Sequence, residues 1–307
     1  MEQFTIVSQQ LFVFAAYFCL GIVCIKFKIF DKASLNALSK FIINITIPAT
    51  ILCNILSGPD RNDLITALPI FVIYLASFLL LFFLNFMIVK LFRFETKKEN
   101  IYKALATFSN AGFMGIPLIL SLFKERGAIL MSLCMVIDQV MLWTLGVKLT
   151  SNTKISTSQN LKKFINPALI SIFISLLGVS LNFKVPVSLQ LLLKPVGAMT
   201  PVLSLLYIGG LCCYSDIKKY FNCFEIYMII IFKMIIFPVT IWFTLQHCPI
   251  PTDIIKTVVL LTSLPSMTSI AILAKKYENH DEYAIAVVLI TTLASLVTVP
   301  LVSLFVK

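Results

Sequence analysis

Long apolar runs follow one another along the whole chain, and they constrain the fold more than any other feature. Runs of 18 or more residues with few charges recur from one end of the sequence to the other. A helix of about 20 apolar residues is long enough to cross a bilayer. Hydrophobic residues make up 59% of the 307 positions, against roughly 45–50% in a soluble domain. The sequence therefore predicts an all-α polytopic membrane protein with no separate soluble domain.

Ten transmembrane helices are predicted from these runs, and most of the connections between them are short. The longest connection, residues 151–166, is rich in Ser, Thr, Asn and Lys. The predicted spans cover residues 4–25, 35–56, 68–92, 101–123, 128–150, 167–183, 189–213, 224–246, 254–277 and 284–306.

The distribution of basic residues predicts the orientation in the membrane. The loops after odd-numbered spans, together with the span ends that flank them, carry seventeen of the 25 Lys and Arg residues, and the opposite side carries seven. Because short basic loops stay in the cytoplasm, we expect both termini outside and the 151–166 loop inside, in the plasma membrane. This topology and the lipid bilayer account for the net charge of +11, so we expect no nucleic-acid partner.

Weak similarities between the two halves of the chain predict an internal repeat. Leu20-Gly21 in the first span resembles Leu177-Gly178 in the sixth, and Pro48 in the second span matches Pro201 in the seventh. These matches divide the chain into residues 1–150, the loop 151–166, and residues 167–307. Since five spans is an odd number, the second half would cross the membrane in the opposite sense, as in the inverted repeats of secondary transporters.

The fourth and ninth spans contain residues that interrupt a transmembrane helix. The fourth carries TFSNAGFMGIPL at residues 107–118, and the ninth carries LLTSLPSMTS at residues 260–269. Interrupted helices persist in a bilayer only where the protein buries them or where they line a cavity. Paired interruptions in two halves point to a substrate site; the alternative is a pair of helices kinked for structural reasons. The predicted substrate-binding residues are Ser109, Asn110, Ala111, Gly112, Pro265, Ser266, Met267 and Thr268.

Each interruption creates half-helices whose free backbone N–H groups and positive dipole ends can hold an anion without a cationic side chain. We therefore predict that the substrate is a small anion. Pro48, Pro117 and Pro201 are interpreted as helix kinks.

Two ionisable residues stand out because they lie midway along predicted spans, where such residues are costly and are functional candidates. Asp138, followed by Gln139, lies midway along the fifth span, and Lys233 lies midway along the eighth. Either the two charges pair, which would offset their desolvation, or Asp138 carries a proton when substrate moves. A static ion pair that only fixes helix packing is the structural alternative.

The sequence contains no set of residues typical of an enzyme or a metal site. Its eight Cys residues include no CxxC spacing and no accompanying His cluster, so we expect neither a metal nor another cofactor. An intramembrane enzyme would need paired Asp residues, an HExxH motif or a Ser/His dyad within the spans. Only one Asp lies in a span, and both His residues lie in loops.

The segment NAGFMGIPL at residues 110–118 resembles the fourth-span signature of the auxin efflux carrier family, which includes bacterial permeases for malate and malonate. LPS at 264–266 and AKKY at 274–277 resemble the ninth span of that family and its basic exit. Asn166-Pro167, Lys233 with Pro238, and the sequence TVP at 298–300 extend the resemblance over essentially the whole chain.

The resemblance implies a scaffold domain from helices 1, 2, 6 and 7, and a transport domain from helices 3–5 and 8–10. The fourth and ninth helices would cross, the transport domain would move like an elevator, and two copies would dimerise through the scaffold. Plant members carry a Pro-Asn pair at the crossover, whereas here Ser109 replaces the Pro and Asn110 remains. Ser266 stands where those members carry an amide. These differences favour a bacterial permease for a small carboxylate over an auxin carrier. A non-transporting sensor of the same fold is the alternative.

Overall fold

The computed structural model describes residues 2–56, 61–94, 98–151, 167–183, 185–214 and 216–306. The predicted loop 151–166 therefore lies outside the described residues, apart from Ser151. The α-helices are α1 (Glu2–Lys26), α2 (Lys32–Phe41), α3 (Ile47–Leu56), α4 (Arg61–Ala67), α5 (Pro69–Phe92), α6 (Glu99–Thr107), α7 (Ile116–Met141), α8 (Val147–Thr150), α9 (Pro167–Ser180), α10 (Val187–Cys212), α11 (Phe224–Met228), α12 (Phe237–Leu245), α13 (Thr252–Ser263), α14 (Thr268–Lys276) and α15 (Asp281–Phe305). Four π-helical segments join some of them: π1 (Ile42–Thr46), π2 (Ala111–Gly115), π3 (Leu142–Gly146) and π4 (Ile229–Ile236).

Seven helical stretches of the described residues are long and apolar enough to cross a membrane, so the chain is a multi-pass membrane protein. They correspond to the predicted spans one, two, three, five, seven, eight and ten. The fourth and ninth are missing from this set because each is interrupted, and the sixth because α9 has only 14 residues. The count of ten spans stays a prediction. The seven stretches are Phe4–Lys26, Lys32–Cys53, Asn62–Phe92, Arg126–Thr150, Val187–Cys212, Phe224–Leu245 and Asp281–Phe305.

Helix α7 continues across the predicted boundary between the fourth and fifth spans, but it is not straight. A straight helix would separate Ile119 from Gly127 by about 12 Å, since each residue rises about 1.5 Å. In the structure a Cβ atom on Gly127 would lie only 2.8 Å from the carbonyl oxygen of Ile119. The chain therefore folds back within α7, and a glycine stands where the two arms touch.

Three prolines each lie two residues after the end of a π-helical segment. Pro48 follows π1, Pro117 follows π2 and Pro238 follows π4. A proline has no N–H to donate, and its ring collides with the carbonyl four residues earlier in an α-helix. The wider π turn, with its i→i+5 bonding, accommodates that ring. Pro201 instead lies inside the continuous helix α10, and a bend at that residue stays a prediction.

Helices α1 and α10 approach each other closely at two glycines. A Cβ atom on Gly209 would lie 2.0 Å from the carbonyl oxygen of Phe18, and one on Gly21 would lie 2.2 Å from that of Leu206. Small residues let helix backbones meet in this way within membranes. The two glycines thus fix both the distance and the register of α1 on α10.

The helices next to the two interruptions pack against one another. Helix α5 packs against α6, α7 and α13, while α15 packs against α14 and π4. Helix α10 packs against α1 and α3, and α9 packs against α3. Helix α1 also packs against α15, so these two sets of helices are in contact. The division into a scaffold and a transport domain stays a prediction.

Candidate substrate-binding site

The two interrupted helices meet at their interruptions. Helix α6 ends at Thr107 and α13 ends at Ser263, and the non-helical residues that follow pair as an isolated antiparallel bridge between Ser109 and Ser266. The N–H of Asn110 donates to the carbonyl of Pro265 at 2.9 Å, and the N–H of Met267 donates to the carbonyl of Phe108 at 3.0 Å. Each interruption therefore provides hydrogen-bond partners for backbone N–H and C=O groups that the other interruption leaves without a partner inside a helix.

Both half-helices that start at the crossing begin with free N–H groups. At the start of π2, the N–H groups of Gly112 and Phe113 have no acceptor among the described residues. At the start of α14, the same holds for Thr268 and Ser269. Helix N-termini of this kind attract anions, since the N–H groups and the helix dipole both favour negative charge.

Side chains at the crossing add further hydrogen-bonding groups. The amide of Asn110 donates to the hydroxyl of Thr268 at 3.3 Å, and the N–H of Ser266 donates to the hydroxyl of Thr291 at 3.2 Å. The hydroxyl of Ser266 is buried and has no hydrogen-bond partner in the part of the chain that the structure describes. Since buried polar groups are normally paired, this hydroxyl is available to a ligand.

A cavity of about 230 Å³ opens onto the start of π2. Gly112 and Pro117 form one wall, and Thr50, Gly197 and Lys194 belong to the opposite wall on α3 and α10. A Cβ atom added to Gly112 would meet nothing within 4 Å, which places this residue against open space. The side chain of Lys194 is exposed, so it supplies a positive charge at the cavity.

A second, smaller cavity of about 70 Å³ opens onto the start of α14. Thr268 and Lys275 line it from α14, and Asn36 and Tyr207 line it from α2 and α10. The two N-terminal half-helix ends thus open onto different cavities, and each cavity contains one lysine. Between them, Ser109, Asn110 and Ser266 are almost completely buried.

Threonine hydroxyls join α3 to α10 beside the larger cavity. The hydroxyl of Thr50 lies 2.8 Å from that of Thr200, 2.9 Å from the carbonyl of Gly197 and 2.8 Å from the carbonyl of Thr46. Because this hydroxyl has one proton, it donates to one of the two carbonyls and accepts from Thr200. The contact joins the segments around Pro48 and Pro201, which correspond to each other in the predicted internal repeat.

Asp138 and Lys233, for which an ion pair was one of the predicted alternatives, form no direct salt bridge with each other in the described structure. The hydroxyl of Tyr74 donates to Asp138 Oδ1 at 3.0 Å, and the ammonium of Lys233 donates to the carbonyl of Phe108 at 3.0 Å. That carbonyl closes α6 at the interruption, where the helix dipole is negative and an ammonium is favoured. Lys233 thus supports the crossing itself. Asp138 Oδ2 is buried without a partner among the described residues, and Gln139 beside it is half-buried.

Sequence reasoning missed several residues that hold the crossing in place. Asn85, buried in α5, donates from Nδ2 to the carbonyl of Ala106 at 3.1 Å. Its position inside an apolar run is the same kind of signal that identified Asp138. Tyr74, Thr50 and Thr291 gave no comparable signal, because tyrosine and threonine are common in membrane helices.

Nothing in the described part of the chain resembles a metal centre. No group of three or more His, Cys, Asp or Glu residues there could hold a metal ion. The free donors at the crossing are N–H and O–H groups, which suit an anion rather than a cation.

Comparison with known proteins shows that the chain is similar to membrane transport proteins. The profile of the family described as "Membrane transport protein" matches residues 5–154 and 150–303. An uncharacterized transporter of Methanocaldococcus jannaschii is 26% identical over 284 residues, covering 90% of this chain and 91% of the relative. A putative malonate transporter of Rhizobium meliloti is 24% identical over 272 residues, covering 85% of this chain and 84% of the relative.

Proposed function

Because the chain belongs to the membrane transport protein family, we propose that it is a secondary transporter that moves a small organic anion across the plasma membrane. The observation that carries the proposal is the crossing of two interrupted helices, whose N-terminal ends present free N–H groups to two separate cavities. The family and its transporter-named relatives support a transporter rather than an enzyme.

A carboxylate is the substrate class that best suits the donors at the site. It would accept hydrogen bonds from the N–H groups of Gly112 and Phe113, and Lys194 would attract it into the larger cavity. Charge-assisted hydrogen bonds of this type are roughly twice as strong as neutral ones. Dicarboxylates such as malonate and malate are the specific candidates, supported by the similarity to a putative malonate transporter.

Five-helix halves that face opposite ways would explain why corresponding segments of the two halves meet. Helix α1 packs on α10 and α9 packs on α3, an exchange expected if a two-fold axis in the membrane plane related the halves. The Thr50–Thr200 contact and the Ser109–Ser266 bridge likewise join corresponding segments of the two halves. We propose ten transmembrane helices arranged as this inverted repeat, with residues 1–150 and 167–307 as the halves.

Alternating access would then come from movement of one group of helices against the other. In this proposal the scaffold contains α1, α3, α9 and α10, and it dimerises with a second copy. The helices around the crossing form the transport domain and move like an elevator. The larger cavity lies where the two groups face each other, so such a movement would expose Gly112 on one side and Thr268 on the other. With basic loops in the cytoplasm, both termini lie outside.

Flux of ¹⁴C-malonate into proteoliposomes tests the proposal. Uptake should saturate, and unlabelled malate should compete with it. Asn110→Ala and Ser266→Ala should each weaken malonate binding, measured by the rise in thermal stability that a native-state ligand produces. Ser266→Ala should leave the stability of the ligand-free protein unchanged, because its hydroxyl has no partner to lose.

Asn44→Ala is the matched control, since it removes an exposed amide that bonds only to the carbonyl of Lys40 among the described residues. Binding that survives both Asn110→Ala and Ser266→Ala would place the substrate elsewhere. Binding without flux would favour a sensor of the same fold over a transporter.

A further inference from the structure

One large cavity lies apart from the free N–H groups of the candidate substrate site. It is a groove of about 740 Å³ between α5 on one side and π4 with α12 on the other. Leu80, Leu84 and Leu91 line it from α5, and Phe232 and Ile236 line it from π4. All five side chains are exposed hydrophobics, so the α5–α12 groove opens sideways toward the bilayer.

One end of this groove is positively charged. Lys90 and Arg93, at the end of α5, both line it. Both side chains are exposed, and neither forms an ion pair or hydrogen bond with another described residue. The α5–α12 groove is therefore lined mainly by apolar side chains, and at one end it carries two cations that have no ion-pair partner among the described residues.

The length of the groove matches one leaflet of a membrane. From Leu80 to Arg93 the helix extends about 20 Å, at about 1.5 Å per residue. One leaflet contributes about 15 Å of hydrocarbon, and the headgroup region adds the rest. A groove with cations at the headgroup level and apolar walls below it has the polarity of a phospholipid with a negative headgroup.

We propose that the α5–α12 groove binds one anionic phospholipid. The phosphate contacts Lys90 and Arg93, and an acyl chain lies along Leu84 toward Leu80. In the orientation proposed above, the two cations face the cytoplasmic leaflet, where anionic lipids and basic pockets between helices meet. The binding site itself needs only the groove and its charges, so it stands independently of the transported substrate.

The groove also contains a residue that contacts the end of α6, next to the helix interruption. Asn85 lines the groove, and its amide donates to the carbonyl of Ala106 and, at 3.3 Å, to the hydroxyl of Thr107. These two residues end α6, directly before the bridge of the two interruptions. A bound lipid would therefore cover the side chain that anchors the end of α6.

Native mass spectrometry of the delipidated protein in detergent tests this proposal. The probes are dioleoyl phosphatidylglycerol, which is anionic, and dioleoyl phosphatidylcholine, which has the same acyl chains and no net charge. The wild-type protein should bind one phosphatidylglycerol in clear preference to phosphatidylcholine. Lys90→Gln/Arg93→Gln should weaken phosphatidylglycerol binding about twenty- to thirtyfold at low salt, since each nearby cation contributes roughly fivefold.

Lys148→Gln/Lys276→Gln is the charge-matched control, because both residues are exposed and neither lines the groove. Leu84→Trp fills the groove without changing charge and should also displace the lipid. Equal binding of the two lipids, or phosphatidylglycerol binding that survives either groove variant, would overturn the proposal. So would a loss of dimers in Leu84→Trp with unchanged lipid binding, because a second copy would then be the occupant.

Discussion

Replacing Gly209 by alanine should destabilise the protein through a single methyl group. The added Cβ would lie 2.0 Å from the carbonyl oxygen of Phe18, and real Cβ contacts are essentially never under 3.0 Å. Helices α1 and α10 would have to separate by at least about 1 Å at their closest point, because the obstacle is backbone and cannot rotate away. Overpacking of this kind costs about 1–3 kcal/mol.

The expected loss exceeds the gain that alanine brings to a helix. Alanine is favoured over glycine by about 1 kcal/mol in a helix interior, which offsets part of the cost. Because the clash involves rigid backbone at its shortest distance, we expect the upper part of the range and a net loss of about 1–2 kcal/mol. For a chain of 307 residues, with an unfolding entropy of about 2.1 cal/mol/K per residue, that corresponds to a fall in melting temperature of roughly 1.5–3 °C.

Gly112→Ala supplies the matched control for the melting experiment. The substitution is chemically identical, but its Cβ would meet nothing within 4 Å, so the melting temperature should stay the same or rise. Both variants are measured in one detergent by intrinsic tryptophan fluorescence. A Gly209→Ala protein as stable as the Gly112→Ala protein would refute the packing of α1 on α10 described above.

Three further predictions follow from single contacts. Asp138→Asn should flatten the pH dependence of malonate flux if this carboxylate carries the coupling proton, and an unchanged pH profile would contradict that role. Thr50→Val should lower the free energy of unfolding by about 1–2 kcal/mol, since it leaves the carbonyl of Gly197 or the hydroxyl of Thr200 unpaired; an unchanged melting temperature would argue against the contact. Arg126→Gln should change stability by less than about 1 kcal/mol, because its ion pair with Asp253 is partly exposed, and a larger loss would show a buried pair.

Much of the architecture could be predicted from the sequence because membranes restrict the choice of structures. Apolar length alone indicated the helices that proved long enough to span. Pro, Gly and Asn marked the interruption in the fourth span, and Pro with Ser and Thr marked that in the ninth. The residues at which helices begin and end were harder to predict from the sequence. Nothing in the sequence indicated that helical structure continues from Ile116 to Met141, because the polar residues between predicted spans look like a loop even where the backbone remains helical.

The partners of the charged residues could not be predicted. Asp138 and Lys233 were the obvious pair because both are costly inside a membrane, yet each found a nearer group. Lys233 contacts a backbone carbonyl, and no sequence pattern marks which carbonyls are left free by an interrupted helix. Tyr74 became the partner of Asp138 through the packing of α5 on α7, which depends on three-dimensional contacts rather than on spacing along the chain.

The free donors at the start of π2 belong to the main chain, and this has an evolutionary consequence. A point mutation can delete a side chain, but every residue except proline at Gly112 or Phe113 would keep the same N–H in place. If the proposed function holds, attraction for negative charge would therefore survive such mutations, while the choice among anions would depend on the side chains around Thr50 and Lys194. Relatives that share the crossing could diverge widely in what they carry without rebuilding it.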